Sequence, residues 1–220
     1  MRTHPAIFIH RLVFVCFVGF VGHLIGAEPP AVSKIEPHTM VFFGDSLTEG
    51  YGLDNPASEA YPALIQKKID AARLPWRVVN AGLSGETTAA GLRRTDWILR
   101  RPVDLFVLAL GGNDGLRGLE PAVSRANLQA IIDRVRAKHP GTKVVLAGMM
   151  MPPSMGEEYA REFTAMYPAL AEKNHVAFVS FLLEGVGGQP EHNQSDGMHP
   201  NSAGHARVAE TVWKILRPLL

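Results

Sequence analysis

Residues 105–110 read Leu-Phe-Val-Leu-Ala-Leu, a continuous apolar run that is followed at once by the polar tetrapeptide Gly111-Gly-Asn-Asp114. An apolar run without alternation indicates a strand that is covered on both faces, as in a parallel sheet with helices above and below it. Four other short runs rich in apolar, β-branched or aromatic residues lie at 40–43, 77–80, 143–147 and 176–180. The sequence therefore predicts five strands.

Segments with helical periodicity alternate with these runs. They cover residues 61–72, 87–100, 121–138, 157–173 and 202–216. A β-α order repeated five times, with right-handed crossovers, favours an α/β fold: a three-layer α/β/α sandwich around a five-stranded parallel sheet. In such a fold the functional residues collect in the loops at the carboxyl ends of the strands.

Length and charge narrow the class of protein. The chain has 220 residues, 46% of them hydrophobic, which is enough for one sizeable core. Its 22 Lys and Arg residues almost balance 21 Asp and Glu residues, and the sequence contains no basic run. This balance argues against nucleic acid as a partner and against charge-driven binding to an acidic membrane. We expect a single domain and a monomer.

The first 27 residues are typical of a secretory signal. Arg2 and Arg11 precede an apolar run at residues 12–22, which is too short for a bilayer core that needs about 20 residues. We predict a signal peptide at 1–27, a Pro-rich linker at 28–38 and a folded domain at 39–220. The protein is then exported, to the periplasm or beyond, without stable membrane insertion after cleavage. An uncleaved N-terminal anchor is the alternative.

The single cysteine, Cys16, lies inside the apolar run of the predicted signal. Once the signal is cleaved, the chain has no thiol, so it can form no disulfide and no thiolate metal site. A cysteine nucleophile is excluded for the cleaved protein on the same ground.

Small and polar residues follow the predicted strands. Ser46 comes after the first strand, Gly82 after the second and Asn113 after the third, while Asp196 and His199 precede the last helix. Because these loops are neighbours at one edge of the sheet, we expect the five residues to share a cleft. The cleft would then hold a hydroxyl, an amide, backbone donors and an Asp/His pair.

This residue set is suited to acyl transfer. The Ser46 hydroxyl is the expected nucleophile, His199 its general base, and Asp196 the carboxylate that orients the imidazole. A tetrahedral oxyanion would need donors, for which we expect the Ser46 amide, the Gly82 amide and the Asn113 side chain. Gly82 has no Cβ, so a substrate could approach its backbone closely.

The ordered blocks resemble those of the SGNH (GDSL-type) hydrolase family over residues 40–216. Within them, residues 111–118, Gly-Gly-Asn-Asp-Gly-Leu-Arg-Gly, are similar to the branch of exported bacterial arylesterases, acyl thioesterases and lysophospholipases. The resemblance implies the flavodoxin-like SGNH hydrolase fold. It also implies a serine esterase that hydrolyses short- to medium-chain acyl esters through an acyl-enzyme on Ser46, with no cofactor and no metal.

Several alternatives stay open at this stage. The same fold could serve a carbohydrate acetylesterase, or an inactive module that binds lipid or carbohydrate. Ser84 is a rival nucleophile, and Asp196 with His199 could instead bind a metal. A Rossmann dinucleotide site is not indicated, because the loop after the first strand lacks its glycine pattern.

Other residues are assigned to binding or to structure. We expect Leu116, Met151 and Met155 to line the acyl groove, since thioethers fit apolar chains of varied shape. The alternative for residues 149–155 is that they fill the core. Asp45 and Asp114 are interpreted as loop scaffolding, and His205 as a packing or surface histidine.

Overall fold

The computed structural model describes Met1 and residues 36–220, and the architecture below is that of residues 36–220. The predicted signal at 1–27 and the linker up to residue 35 lie outside the described residues, so both stay predictions. Within residues 36–220, every helix is too short or too polar to cross a membrane.

A parallel sheet of five strands forms the centre of the fold, which confirms the predicted fold class. Its strands, in spatial order, are β2-β1-β3-β4-β5. Their bounds are β1 His38–Gly44, β2 Trp76–Gly82, β3 Leu105–Ala109, β4 Lys143–Ala147 and β5 Ala177–Val179. The order reverses direction between β1 and β3, and loops at such a point open into a crevice at the carboxyl ends of the strands.

Eight α-helices connect and cover the strands in the described part of the chain. They are α1 Ser46–Glu49, α2 Pro56–Glu59, α3 Tyr61–Ala71, α4 Thr88–Ile98, α5 Gly112–Leu116, α6 Pro121–Lys138, α7 Glu157–Asn174 and α8 Ser202–Leu216. Helix α3 packs against α8, whereas α4, α6 and α7 pack side by side. Short 3₁₀ turns lie at Pro153–Met155, Pro190–His192 and Arg217–Leu219.

The predicted strands and long helices agree with the structure to within a few residues at each end. One boundary needs correction: His38, the last residue of the predicted linker, belongs to β1. Its backbone N–H donates to the Pro75 carbonyl at 2.8 Å, and it pairs with Trp76 in the parallel ladder. The short helices α1, α2 and α5 were not predicted, because four or five residues are too few to show helical periodicity.

Strand β3 is buried along its whole length, as its apolar run predicts. Around it lies one hydrophobic core in which Phe42, Phe43 and Phe106 are fully buried. Two buried tyrosines enter the same core with their hydroxyls hydrogen-bonded, Tyr61 to Thr48 at 2.8 Å and Tyr167 to the Leu110 carbonyl at 3.0 Å. Both hydroxyls therefore support the loops at the carboxyl ends of β1 and β3.

Asp114 joins three helices beneath these loops. Its buried carboxylate accepts from the Thr88 backbone N–H at 2.8 Å, the Thr88 hydroxyl at 2.5 Å and the Ser124 hydroxyl at 3.0 Å. Thr88 begins α4, Asp114 lies in α5 and Ser124 lies in the first turn of α6. This is the scaffolding role that the sequence predicts for Asp114.

Candidate active site

The chain turns sharply from β1 into α1, and Ser46 is the first residue of that helix. Gly44 permits the turn, because a Cβ atom there would lie 2.0 Å from the Thr48 hydroxyl and 2.8 Å from the Ala109 carbonyl oxygen. Asp45 caps the helix by accepting from the Leu47 backbone N–H at 3.0 Å. Ser46 is therefore held in a rigid turn, as the scaffolding interpretation of Asp45 implies.

Asp196 and His199 lie on a tight loop before α8. An antiparallel bridge between Asn193 and Pro200 closes the base of the loop, and the Gln194 N–H donates to the His199 carbonyl at 2.8 Å. Gly197 makes the reversal with a φ of 68°. A loop closed in this way holds its two functional side chains in a fixed relation.

The structure brings Ser46, His199 and Asp196 into one hydrogen-bonded chain. His199 Nε2 lies 2.9 Å from Ser46 Oγ, and His199 Nδ1 lies 2.7 Å from Asp196 Oδ2. Because Nδ1–H donates to the carboxylate, the unprotonated Nε2 faces the serine hydroxyl. In this tautomer the imidazole can take the hydroxyl proton as the serine attacks.

Asp196 is held as a carboxylate at this site. The His199 side chain and the backbone N–H groups of His199 and Met198 all donate to it, at 2.7, 3.0 and 2.9 Å. The hydrogen bond from the His199 ring is the largest influence, and together these bonds lower the pKa of Asp196 to about 2. Its negative charge is therefore available to an imidazolium at any pH near neutral.

Asn113 lies in α5, one residue after the helix begins, and reaches toward the loop that follows β2. Its side-chain Nδ2 donates to the Glu86 carbonyl at 3.1 Å and lies 3.5 Å from Asp45 Oδ2. The amide is thus next to the residue that precedes Ser46. Donation to an oxyanion formed at Ser46 would replace the longer of these two contacts, the one to Asp45.

Gly82 occupies a different environment from the one expected. Its backbone N–H already donates to Asn80 Oδ1 at 2.9 Å. A Cβ atom on Gly82 would lie 2.1 Å from the Glu49 nitrogen, so the missing side chain makes room for the backbone of α1 and not for a substrate. The structure therefore contradicts Gly82 as a free oxyanion donor, and its glycine identity has a packing cause.

Gly85, which the sequence analysis missed, has the free amide that Gly82 lacks. It is the third residue of a turn in which the Glu86 N–H donates to the Leu83 carbonyl at 3.1 Å, and its φ of 76° suits glycine. Among the described residues its N–H has no acceptor, as is also true of the Ser46 N–H. The tetrapeptide Leu83-Ser-Gly-Glu86 could have predicted this turn, because glycine as the third residue is typical of a type II turn.

An ion pair between Glu86 and Arg94 lies directly under this turn. The Glu86 side chain is 1% exposed, and the guanidinium of Arg94 binds both of its carboxylate oxygens. Arg94 also donates to the Ala81 carbonyl at 2.7 Å and lies 4.3 Å from the centre of the Phe43 ring. The pair thereby ties the turn that contains Gly85 to the end of β2 and to α4.

Asp45, the residue before Ser46, has a raised pKa because it is buried. Burial raises the pKa of Asp45 to about 7, although the Leu47 amide and the charge of His199 act in the opposite direction. Asp45 is 2% exposed, and its Oδ2 lies 3.5 Å from Asn113 Nδ2. Around neutral pH, the charge beside Asn113 therefore depends on whether Asp45 is protonated.

One alternative interpretation, Ser84 as the nucleophile, loses support. The Ser84 hydroxyl donates to the Glu49 carboxylate instead of a histidine.

His205 is a neutral packing residue. It is 1% exposed, its Nδ1 accepts from the Tyr61 N–H at 3.2 Å, and burial lowers its pKa to about 4. Within the described residues no three His, Cys, Asp or Glu side chains are grouped as metal ligands.

The three residues that were expected to line the acyl groove differ in their exposure. Leu116 is exposed at the end of α5, Met155 is half-buried, and Met151 is buried against Gly115, where a Cβ atom would meet its sulfur at 2.2 Å. Met151 also lines an apolar groove of about 730 Å³ between its loop and α7. Ser46 and His199 are not among the residues that line this groove.

Comparison with known proteins gives consistent matches. The model of the GDSL-like Lipase/Acylhydrolase family matches residues 42–207. Esterase TesA of Pseudomonas aeruginosa is 43% identical over 184 residues, covering 83% of this chain and 89% of that protein. Thioesterase 1/protease 1/lysophospholipase L1 of Escherichia coli is 37% identical over 83% of this chain and 85% of its own. The match with the crystal structure of TesA covers 83% of this chain and 100% of the TesA chain, with 42% identity and a TM-score of 0.79.

Proposed function

The chain belongs to the GDSL-like lipase/acylhydrolase family, and from that premise we propose that it is a serine esterase. The observation that carries the proposal is the hydrogen-bonded chain from Ser46 Oγ through the His199 ring to Asp196, with distances of 2.9 and 2.7 Å. We propose the roles of nucleophile, general base and orienting carboxylate for these three residues, in that order.

Catalysis then follows the two steps of acyl transfer. His199 Nε2 takes the proton from Ser46 as Oγ bonds to the acyl carbon, and the imidazolium passes the proton to the leaving alkoxide or thiolate. The leaving-group bond breaks and an acyl-enzyme remains on Ser46. Water, deprotonated by His199, attacks that ester, and the released serine recovers its proton.

The oxyanion of each tetrahedral intermediate needs preorganised donors. We assign this role to the backbone N–H of Ser46, the side-chain amide of Asn113 and, in place of Gly82, the backbone N–H of Gly85. The free amides of Ser46 and Gly85 support the assignment. So does the Asn113–Glu86 hydrogen bond, which brings Asn113 to the turn that contains Gly85.

The surroundings of Ser46 favour an apolar acyl group. Large apolar side chains are exposed after β2, at the end of α5 and in the loop that contains His199, namely those of Leu83, Leu116 and Met198. Apolar surface gathered at one edge is typical of a binding site for an apolar ligand. We propose short- to medium-chain aryl esters, acyl thioesters or lysophospholipids as substrates, with Leu116, Met151 and Met155 beside the acyl chain.

We also propose where the enzyme acts, what it binds and in which oligomeric state. The signal-like residues 1–27 support export to the periplasm or beyond, and the near balance of charges supports a small acyl ester, not nucleic acid, as partner. We propose a monomer that needs neither a metal nor an organic cofactor, because the serine, imidazole and carboxylate supply all the proton transfers of ester hydrolysis.

The decisive experiment treats the purified protein with a fluorophosphonate and maps the label by peptide mass. Hydrolysis is measured on p-nitrophenyl esters and acyl thioesters of increasing chain length, on lysophospholipid and on acetylated sugars. We expect the label on Ser46 and hydrolysis of the esters and thioesters. A label on Ser84, activity confined to acetylated sugars, or loss of activity in EDTA that a divalent ion restores would each contradict the proposal.

A further inference from the structure

The loop that contains Ser46 and the loop that contains His199 are joined by one side chain that the sequence analysis did not single out. Gln194 Nε2 donates to the Tyr51 carbonyl at 2.7 Å and to the Pro200 carbonyl at 3.0 Å. Tyr51 is tied in turn to the nucleophile, because its N–H donates to the Ser46 carbonyl at 3.0 Å. Pro200 directly follows His199.

These contacts form a closed circuit of hydrogen bonds that includes Ser46 and His199. From Ser46 the circuit passes through Tyr51 and Gln194 to Pro200, and the hydrogen bond between the Ser46 hydroxyl and His199 Nε2 completes it. Both N–H bonds of the Gln194 amide are used in it. A hydrogen bond between Ser46 and His199 needs the two loops at a fixed separation, and the Gln194 side chain spans that gap.

The ring of Tyr51 makes a second contact across the same gap. Its centre lies 4.8 Å from the centre of the His199 imidazole, at an interplanar angle of 47°. An aromatic face favours a neighbouring cation, so this contact becomes more favourable when His199 takes the serine proton. The hydroxyl of Tyr51 makes no hydrogen bond within the described residues, which leaves the ring as the part of the side chain that acts.

Gly52 shows how closely Gln194 fits. A Cβ atom on Gly52 would lie 2.1 Å from Gln194 Oε1, and the φ of Gly52 is 75°. Any side chain at residue 52 would therefore displace the Gln194 amide as well as strain the backbone. The glycine keeps open the space into which the amide reaches.

We propose that Gln194 and Tyr51 are positioning residues that hold the His199 imidazole at hydrogen-bonding distance from Ser46. Gln194 does so by bridging the two loops, and Tyr51 by packing on the imidazole. The inference rests on the proposed esterase function and adds two residues to it. Neither side chain needs to touch the substrate for this role.

The test replaces Gln194 with Met, which has a similar length, no charge and no N–H donor. Gln189→Met is the matched control, because Gln189 is an exposed glutamine of the same segment whose side chain makes no hydrogen bond with a described residue. We expect kcat on a p-nitrophenyl ester to fall roughly 10- to 100-fold in Gln194→Met, since a small misplacement of reacting groups has that effect. KM and the thermal midpoint should change little, and the control should match the wild type.

Three further variants separate positioning from folding. Tyr51→Phe keeps the ring and should keep kcat, whereas Tyr51→Leu should lower it. Gly52→Ala should lower kcat, because the added Cβ displaces the Gln194 amide. The rate of fluorophosphonate labelling at Ser46 should follow kcat through the whole series.

The outcomes are distinguishable. An active wild type whose kcat is unchanged by Gln194→Met, with or without a lower thermal midpoint, would overturn the positioning role and leave the esterase function intact. Equal kcat in Tyr51→Leu and Tyr51→Phe would overturn the part assigned to the ring. A wild type that neither hydrolyses the ester nor reacts with the fluorophosphonate would overturn the esterase function, and the positioning role with it.

Discussion

A Cβ atom on Gly82 would lie 2.1 Å from the backbone nitrogen of Glu49. The contact is made by backbone on both sides, since β2 ends at Gly82 beside the first turn of the helix that begins with Ser46. A flexible side chain could move aside, but a strand and a helix anchored in the core cannot do so at small cost.

Gly82→Ala should therefore act on stability first. We expect a loss of about 1–3 kcal/mol in the free energy of unfolding, the usual range for overpacking, measured by urea denaturation. Gly141→Ala is the matched control, because a Cβ atom at Gly141 meets nothing within 4 Å. Unchanged stability together with lost activity would instead restore the idea that Gly82 is a glycine for the sake of the substrate.

Ser46→Ala should abolish ester hydrolysis while the thermal midpoint stays close to that of the wild type. The hydroxyl contacts His199 and contributes little to packing, whereas no other described side chain places a hydroxyl on His199 Nε2. Turnover is measured on a p-nitrophenyl ester after the variant has been purified from a host strain without esterase background. Substantial turnover that persists in that preparation would refute Ser46 as the nucleophile.

Asn113→Ala should lower kcat by about 10²–10³ with a smaller change in KM. The amide is proposed to bind charge that exists mainly in the transition state, and loss of one such donor has an effect of that size. Asn55→Ala serves as control, because Asn55 is exposed and its side chain does not cap α2. A higher KM with unchanged kcat would place Asn113 in substrate binding instead.

Asp45→Asn should change how stability depends on pH. The pKa of Asp45 is about 7 in the folded protein and 3.8 as the ordinary value, so the folded state holds this proton more tightly between those limits. The contribution of Asp45 to the free energy of unfolding therefore falls as pH rises from about 4 to 7. Asn does not titrate, so the variant should gain stability relative to the wild type across that window.

The measurement is a set of denaturation curves for both proteins at several pH values between about 4 and 8. Asn can still accept from the Leu47 N–H, so the helix cap is kept. Parallel stability curves for the two proteins would show that the Asp45 proton is not held more tightly in the folded state.

Met151→Ala should shift the preferred acyl chain length more than it changes kcat on acetate esters. A buried methylene contributes about 0.8 kcal/mol, so kcat/KM should rise along the chain until the wall at Met151 is reached. The same series on Met155→Ala and Leu116→Ala compares the other two proposed contacts. An unchanged chain-length profile in all three variants would remove these residues from the acyl site.

Most of the sheet could be predicted because its information is local. Strand β4 and helices α6 and α8 have the bounds that their hydrophobic patterns predict, since burial on two faces or on one stripe leaves a period in the sequence. The order of Ser46, Asn113, Asp196 and His199 was readable for a related reason, because each follows a strand or precedes a helix.

Contacts between distant loops left no such pattern. The Gln194–Tyr51 hydrogen bond joins residues 143 apart, and the role of Gly82 depends on how α1 crosses the end of β2. Gly85 lies three residues after Gly82, the last residue of β2, and the tertiary surroundings of the two glycines distinguish the free amide from the paired one. These are tertiary facts that a single chain does not express as periodicity or composition.

The Ser46–His199 contact also has a temporal consequence. The two residues are 153 positions apart, and the histidine loop leads straight into α8, which must dock on α3 before the imidazole can meet the hydroxyl. A partly folded chain with its sheet formed and α8 undocked has a serine without a base. Hydrolytic activity therefore requires α8 to be docked on α3, in addition to a folded sheet.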